Sequence, residues 1–306
     1  MTTASVIGAV IRPGQTFTDD NGRTAQLHGV GIQKFGDRYY AWGEDKSTGS
    51  TFTAVACYSS LDLASWRFES NALEQGSGEL GADRIIERPK VLAHPDGGYV
   101  MFLHIESANY SDARVGYAVN ESPVGPFRYV GSERPLGNQS RDIGVYQEGG
   151  LGYLLSEDRA NGLHIYRLAD DYLSAETIVS TTVKDDGSHG YESPVLIKHD
   201  GLYYLFGSDL TGWSSNDNKV ATARDLSGPW SSWSDIAPTG STTFDSQIST
   251  IVPVETTQGT AYVYIGDRWD QHDLAHSAAV WLPLFVDDGR ASIRWRGEWR
   301  LSELRP

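Results

Sequence analysis

An all-β fold, a five-bladed β-propeller, is what the sequence predicts, on three observations. A strand of the form turn, tyrosine, apolar run recurs at Tyr39, Tyr99, Tyr153, Tyr203 and Tyr262, at spacings of 60, 54, 50 and 59 residues. Before each lies a strand that starts polar and turns apolar, as in Glu192-Ser193-Pro194-Val195-Leu196. The composition, with 33 Gly and 11% aromatic residues, favours strands and tight turns over helices. Four strands per unit, repeated five times, describe a set of blades.

Taken in order, blade one reads as residues 26–32, 38–42, 53–58 and 65–68. Blade two follows at 86–92, 98–102, 114–119 and 125–129, with the turn His94-Pro95-Asp96-Gly97-Gly98 between its first two strands. Blade three shows 141–146 and 152–155. Blade four has 191–198 and 202–206, joined by His199-Asp200-Gly201, then 219–223; blade five has 245–252 and 261–265. The polar stretches after the tyrosine strands, at 43–47, 104–110, 156–159, 208–213 and 266–270, read as loops that rim one face. Ring closure is expected from the tail 291–295 pairing with 5–7, so that both chain ends meet in one blade. No Pro- or Ser-rich linker interrupts 1–306, which reads as a single domain without room for a carbohydrate-binding module, so binding to insoluble polymer should be weak.

A net charge of −15 argues against nucleic acid and acidic membrane surfaces as partners and leaves a neutral ligand open. Cys57, the single cysteine, rules out an internal disulfide and reads as a small core residue. No apolar run approaches the roughly 18 residues a membrane span needs. A monomer is expected, cytoplasmic, or secreted if a leader has been removed. No metal and no cofactor are expected: there is no Gly-rich phosphate loop, His-x-x-x-His pair or nucleophile elbow, and Asp19-Asp20-Asn21-Gly22 reads as a turn.

A propeller sets the first strand of every blade along the central channel, which brings His28, Glu87, Asp142, Glu192 and Gln247 together. Two carboxyl groups across a sugar-sized gap are what glycoside hydrolysis requires, one to protonate the leaving oxygen and one to activate water or attack. Glu192 and Glu87 are the evident pair, and the rigid Ser193-Pro194 would hold Glu192 at the channel edge. Arg88 and Lys90 stand beside Glu87 and Arg141 beside Asp142, so these acids read either as an acidic cluster or as halves of ion pairs. Gln247 cannot titrate and reads as a hydrogen-bonding partner for a hydroxyl or a water. His28 and Trp42 read as core, whereas Trp213 and Trp269 in rim loops are candidates for stacking on a sugar face.

The motifs Trp42-Gly43-Glu44-Asp45-Lys46, Glu87-Arg88-Pro89-Lys90-Val91, Ser107-Ala108-Asn109-Tyr110, Gln139-Ser140-Arg141-Asp142, Glu157-Asp158-Arg159-Ala160-Asn161-Gly162-Leu163, Tyr191-Glu192-Ser193-Pro194, residues 210–218 and Gly266-Asp267-Arg268-Trp269 span nearly the whole chain. In these the sequence resembles glycoside hydrolase family 43, and within it the exo-β-1,3-galactanases of subfamily 24. The resemblance implies an inverting enzyme that releases galactose from the non-reducing end of β-1,3-galactan. It implies Glu192 as general acid, Asp142 as the acid that orients and tunes it, Glu87 as a carboxylate of the terminal-galactose subsite, and Glu44, Tyr110, Thr211 and Gln247 as sugar-binding positions. Most of the family carries an Asp in blade one as base; here that strand reads Leu27-His28-Gly29-Val30, and the resemblance implies that Gln247, as an amide or its imidic tautomer, positions the attacking water. Inversion implies acid and water-activating groups about 6.5 to 9.5 Å apart. The alternatives are an α-L-arabinofuranosidase or β-xylosidase on the same fold and a non-catalytic sugar-binding propeller.

Overall fold

A computed structural model describes residues 10–306. Five four-stranded antiparallel sheets follow one another, each made of consecutive strands. Blade one is His28–Phe35, Arg38–Glu44, Ala54–Ser60 and Arg67–Glu74. Blade two is Arg84–Ala93, Tyr99–Ser107, Arg114–Asn120 and Arg128–Glu133. Blade three is Ile143–Glu148, Leu151–Asp158, Gly162–Leu168 and Ala175–Thr182. Blade four is Glu192–His199, Leu202–Ser208, Lys219–Ala223 and Ser234–Asp235, and blade five is Gln247–Thr256, Gly259–Arg268, Ala278–Asp287 and Arg290–Ile293.

A sheet buried on both faces needs apolar side chains on both, and the middle strands supply them: Ala54–Ser60 is buried throughout and Tyr99–Ser107 nearly so. The apolar residues fall into five clusters, one at each junction between neighbouring blades. Two of the repeated tyrosines also tie their own blades, four and five, to the one before. Tyr203 donates to Glu148 Oε2 at 2.6 Å and Tyr262 to the Lys198 carbonyl at 3.2 Å. The tyrosine strands run further than expected, through Glu44, Ser107, Asp158, Ser208 and Arg268, so several residues read as loop are ladder-paired.

Ring closure differs from the expectation. The tail strand Arg290–Ile293 is the outer strand of blade five, paired with Ala278–Asp287 through a two-residue turn. Asp288 and Gly289 both take positive φ (45° and 75°), the geometry a tight hairpin demands and an Asp-Gly pair supplies. The proposed partner at 5–7 lies outside the described residues. The chain ends do meet, but in a separate small sheet in which Val10–Ile11 pairs with Trp299–Arg300. Over that seam Trp66 and Trp281 pack edge to face at 5.8 Å, within the cluster that joins blade five to blade one.

The inner strands approach so closely that side chains are excluded at defined points. A Cβ at Gly144 in blade three would lie 2.1 Å from the Pro194 carbonyl of blade four, and one at Gly31 in blade one 2.5 Å from the Pro89 carbonyl of blade two. Gly144→Ala should lower the denaturant midpoint by the equivalent of about 2 kcal/mol, since backbone rather than a flexible side chain must move. Gly297→Ala, where no heavy atom lies within 4 Å, should leave the midpoint unchanged.

Candidate active site

In four blades the inner strand breaks its register just after the residue that leads it to the channel: between His28 and Gly31, Glu87 and Lys90, Glu192 and Val195, and Ile248 and Thr250. Gly29, Arg88 and Ser193 carry positive φ at these bulges (56°, 54° and 53°), a turn of the backbone that re-aims the preceding side chain. The result is a cavity of about 420 Å³ at the channel mouth, within the roughly 300 to 1,000 Å³ range of ligand pockets. Glu44, Glu87, Tyr110, Asp142, Glu192, Gln247, Trp213 and Trp269 line it. Below it, beside Lys90, the channel narrows to a void of about 20 Å³.

Two predicted members stand apart. His28 leads its strand but is buried away from the cavity, with its ring 5.8 Å from that of Trp269, and burial pushes its pKa down to about 4. Thr211 spends its hydroxyl within its own loop, donating to the Ser214 carbonyl and accepting from Asn216 Nδ2 at 2.8 Å.

Gln247 has all its amide hydrogen-bonding capacity engaged. Its Nε2 donates to Glu192 Oε1 at 2.8 Å and to Ser208 Oγ at 3.0 Å; its Oε1 accepts from Arg88 Nη2 at 2.6 Å and from Trp269 Nε1 at 2.9 Å. Guanidinium and indole N–H groups only donate, which fixes the amide's orientation and leaves no acceptor for the proton of an imidic hydroxyl. The amide tautomer is therefore the one held here. The 2.8 Å contact also departs from the separation expected for inversion, because Glu192 is the nearest strong acceptor for the amide and the two meet directly.

Asp142 anchors the bulge that carries Glu192. Its Oδ2 accepts from both the backbone N–H and the hydroxyl of Ser193 at 3.0 Å and lies 3.1 Å from Arg88 Nη2. The ion pairs thus cross between blades. Arg88 pairs with Asp142 instead of the adjacent Glu87, and Arg141 pairs with Glu106 at 2.7 Å instead of the adjacent Asp142. Burial, reinforced by the Asp142 charge, holds the Glu192 carboxyl well above the usual range, so it retains a proton where an exposed glutamate would not. Glu87 goes the other way. Burial alone would raise it, but the His104 imidazole, 3.4 Å away, and the Lys46 charge bring it down to about 2, while Tyr110 donates to its Oε1 at 2.9 Å. Glu44 accepts from the Arg88 backbone N–H at 2.9 Å and pairs with Lys46 at 2.8 Å.

Glu87, His104 and Asp142 each place a ligand-type atom within 4.8 Å of the others, a spacing a metal ion would accept. The charge is already met by the imidazole. Burial would lower His104, yet the hydrogen bond to Glu106 and the Glu87 carboxylate 3.4 Å from its Nδ1 raise it to about 9, so it stands between the acids as a cation. Sequence reasoning passed over His104, Ser208 and Lys46. For His104 a signal was present: it alternates with Glu106 in an otherwise apolar strand, placing two titratable groups on one face.

The Glycosyl hydrolases family 43 model matches residues 26–279. The chain belongs to glycoside hydrolase family 43. As a member it is a glycosidase, and solved structures of the family bear the same architecture. A Bifidobacterium bifidum protein provisionally named an exo-β-1,3-galactanase is 47% identical, with 94% of this chain and 97% of that one covered and a TM-score of 0.90. The exo-β-1,3-galactanase of Phanerochaete chrysosporium, crystallised as a variant with β-1,3-galactotriose, is 36% identical over 96% of this chain and 68% of that one, TM-score 0.91. An exo-β-1,3-galactanase from Clostridium thermocellum is 35% identical over 94% and 66%, TM-score 0.88. Comparison with the curated proteins gave no match. Among the described residues no helix is long and apolar enough to cross a membrane.

The His104–Glu87 pair makes stability depend on pH in this family 43 propeller. A histidine raised above its ordinary 6.5 contributes fully below that pH and loses its contribution as pH rises through about 9. A glutamate lowered from 4.5 contributes fully above 4.5 and loses its contribution as pH falls through about 2. Denaturant midpoints should therefore fall between pH 6.5 and 9, and in His104→Gln the fall should be smaller.

Proposed function

We propose that the chain is an inverting exo-β-1,3-galactanase that removes galactose from the non-reducing end of β-1,3-galactan. One observation carries the reading: a buried glutamic acid held in its protonated range, Glu192, is hydrogen-bonded to a fully oriented amide, Gln247, at the mouth of a channel that closes beneath them. The relatives crystallised with β-1,3-galactotriose and with galactose support the choice of sugar. A pocket that narrows at its base suits a chain end, and hence exo action.

In this reading the terminal galactose sits on the Glu87 side. Glu87, charged and already holding the Tyr110 hydroxyl, accepts from sugar hydroxyls, and Glu44 borders the same space. Trp213 and Trp269, edge to face at 5.5 Å, flank the opposite rim and offer apolar surface to a sugar ring. Glu192 donates its proton to the glycosidic oxygen, while Asp142 keeps it positioned through Ser193. Substrate entry separates Glu192 from Gln247, and the freed amide N–H group orients a water on the far face of the anomeric carbon. The channel cations Arg88 and Lys90 stay out of the chemistry and hold the frame.

Galactose should appear from β-1,3-galactan with the wild type, and Glu192→Gln should lose it by about 10³-fold while its melting temperature is kept. Proton NMR of the first product should show α-galactose, the inverted anomer. Absence of galactose release by the wild type, or β-galactose as first product, overturns the proposal. Gln247→Ala should reduce turnover more than substrate affinity, because the amide acts on water, and a change confined to KM would assign it to binding alone.

A further inference from the structure

Two charged groups beside Glu192 have no part in the reaction as described. Glu157, in the second strand of blade three, has no exposed surface, and neither of its carboxyl oxygens has a hydrogen-bond partner. Its backbone is pinned, with its N–H donating to the Asp142 carbonyl at 3.0 Å and its carbonyl accepting from the Arg141 N–H at 2.9 Å, so the side chain cannot leave by a shift of the strand. Among the described residues the cation in ion-pair range of it is Arg159, whose Nε lies 3.8 Å from Glu157 Oε1. The same guanidinium reaches towards the acid, with Nη2 at 3.9 Å from Glu192 Oε2. Arg159 is half exposed and lines the cavity. Before substrate enters, Glu192 Oε1 is taken by the Gln247 amide, so Oε2, the oxygen that faces Arg159, is the one left to carry the proton.

The geometry points to Arg159 and Glu157 as a positioning pair for the general acid: Arg159 stabilises the charge left on Glu192 Oε2 when its proton departs, and Glu157 holds the other edge of the guanidinium and restrains it until then. This rests on Glu192 being the acid. In the step, the Oε2–H bond breaks and the proton joins the glycosidic oxygen, whose bond to the anomeric carbon breaks with its electron pair. Water supplies the hydroxyl to that carbon and releases its second proton to bulk solvent, from which the Glu192 carboxylate is reprotonated once the product has left. The carboxylate that remains then lies against a cation already in place. Such a partner lowers a transition state in which charge is developing, without having to reorganise.

The surroundings fix the sign of each effect. Glu192 is faced by Asp142, Arg88, Glu157 and Arg159, and Glu157 by Arg159, Asp142, Arg141 and His104. Burial pushes Glu157 up to about 7, with Arg159 opposing, so Glu157 gains charge near neutrality. That charge makes Glu192 hold its proton to higher pH, and Arg159 makes Glu192 release it sooner. An enzyme that needs Glu192 protonated loses activity as pH rises through that group's titration, which is the alkaline limb of its profile.

The test is the pH dependence of kcat/KM on β-1,3-galactobiose for the wild type, Arg159→Met, Arg159→Lys and Glu157→Gln, with melting temperatures alongside. Arg159→Met should move the alkaline limb upward by about half a pH unit, the modest size reflecting its solvent exposure, and should lower kcat about tenfold. Arg159→Lys should restore part of both, and Glu157→Gln should move the limb downward. Limbs that coincide with the wild type, or that move in the same direction in the Arg159 and Glu157 variants, overturn the proposal. If Glu157→Gln does not fold, the direction in Arg159→Met and its recovery in Arg159→Lys decide. Absence of galactose release by the wild type removes the acid assignment and the pair with it, whereas an active wild type with unmoved limbs removes the pair alone.

Discussion

The Arg88 guanidinium is the interaction on which the site depends. It is buried at the channel axis and made acceptable there by partners from other blades: the Ile248 carbonyl at 3.2 Å, Ser249 Oγ at 3.4 Å and Gln247 Oε1 at 2.6 Å from blade five, and Asp142 Oδ2 at 3.1 Å from blade three. A buried cation with unsatisfied N–H groups costs several kcal/mol, so these acceptors are bound to their positions as firmly as the arginine is to them. Asp142 in turn holds the bulge beneath Glu192, and Gln247 holds Glu192 itself. Asp142 and Gln247, and through them Glu192, are thus set by one cation that they share. Lys90 repeats the device one level down, donating to the Gly29 and Val30 carbonyls of blade one from a site where burial and Arg88 push it to about 7.

How much of this the sequence reveals depends on distance along the chain. The tyrosine spacing reveals blade number, because the second strand of each blade carries a tyrosine near its start, two of which, Tyr203 and Tyr262, also bridge to the preceding blade. The leading polar residues of four inner strands and their arrival at one cavity follow from the same repeat. Partner choice does not follow. Arg88 sits next to Glu87 in the chain, yet the bulge turns the two side chains to different neighbours, and Asp142, which receives Arg88, is in another blade. No local pattern records a contact such as Gln247 to Glu192, 55 residues apart. The closure was legible but misread: Asp288-Gly289 marks a hairpin that completes blade five from its own sequence, leaving the tail beyond it to find Val10–Ile11.

The same bulges explain why the inner strands carry glycines. Re-aiming a carboxylate towards the axis pushes the following peptide outward, and the Pro89 and Pro194 carbonyls then press on the neighbouring blade. Gly31 and Gly144 stand opposite them, and any Cβ there would collide. The site and the packing around it are therefore a single geometric problem, solved jointly by a strained residue on one strand and an absent side chain on the next.

Five junctions hold the ring, and four of them join neighbours in sequence. The fifth joins Trp66 to Trp281, more than two hundred positions apart. Closing so long a loop carries the largest entropic cost of the five junctions, so on topology alone this seam is expected to form last. The links from blade five to blades two and one, Gln247 with Arg88 and Asp267 with the Gly29 N–H, lie just inside it. The catalytic geometry would then be completed by the final closure of the ring, and a nascent chain lacking its last blade would already seat Glu192 on the bulge that Asp142 anchors but would lack the Gln247 amide that orients it.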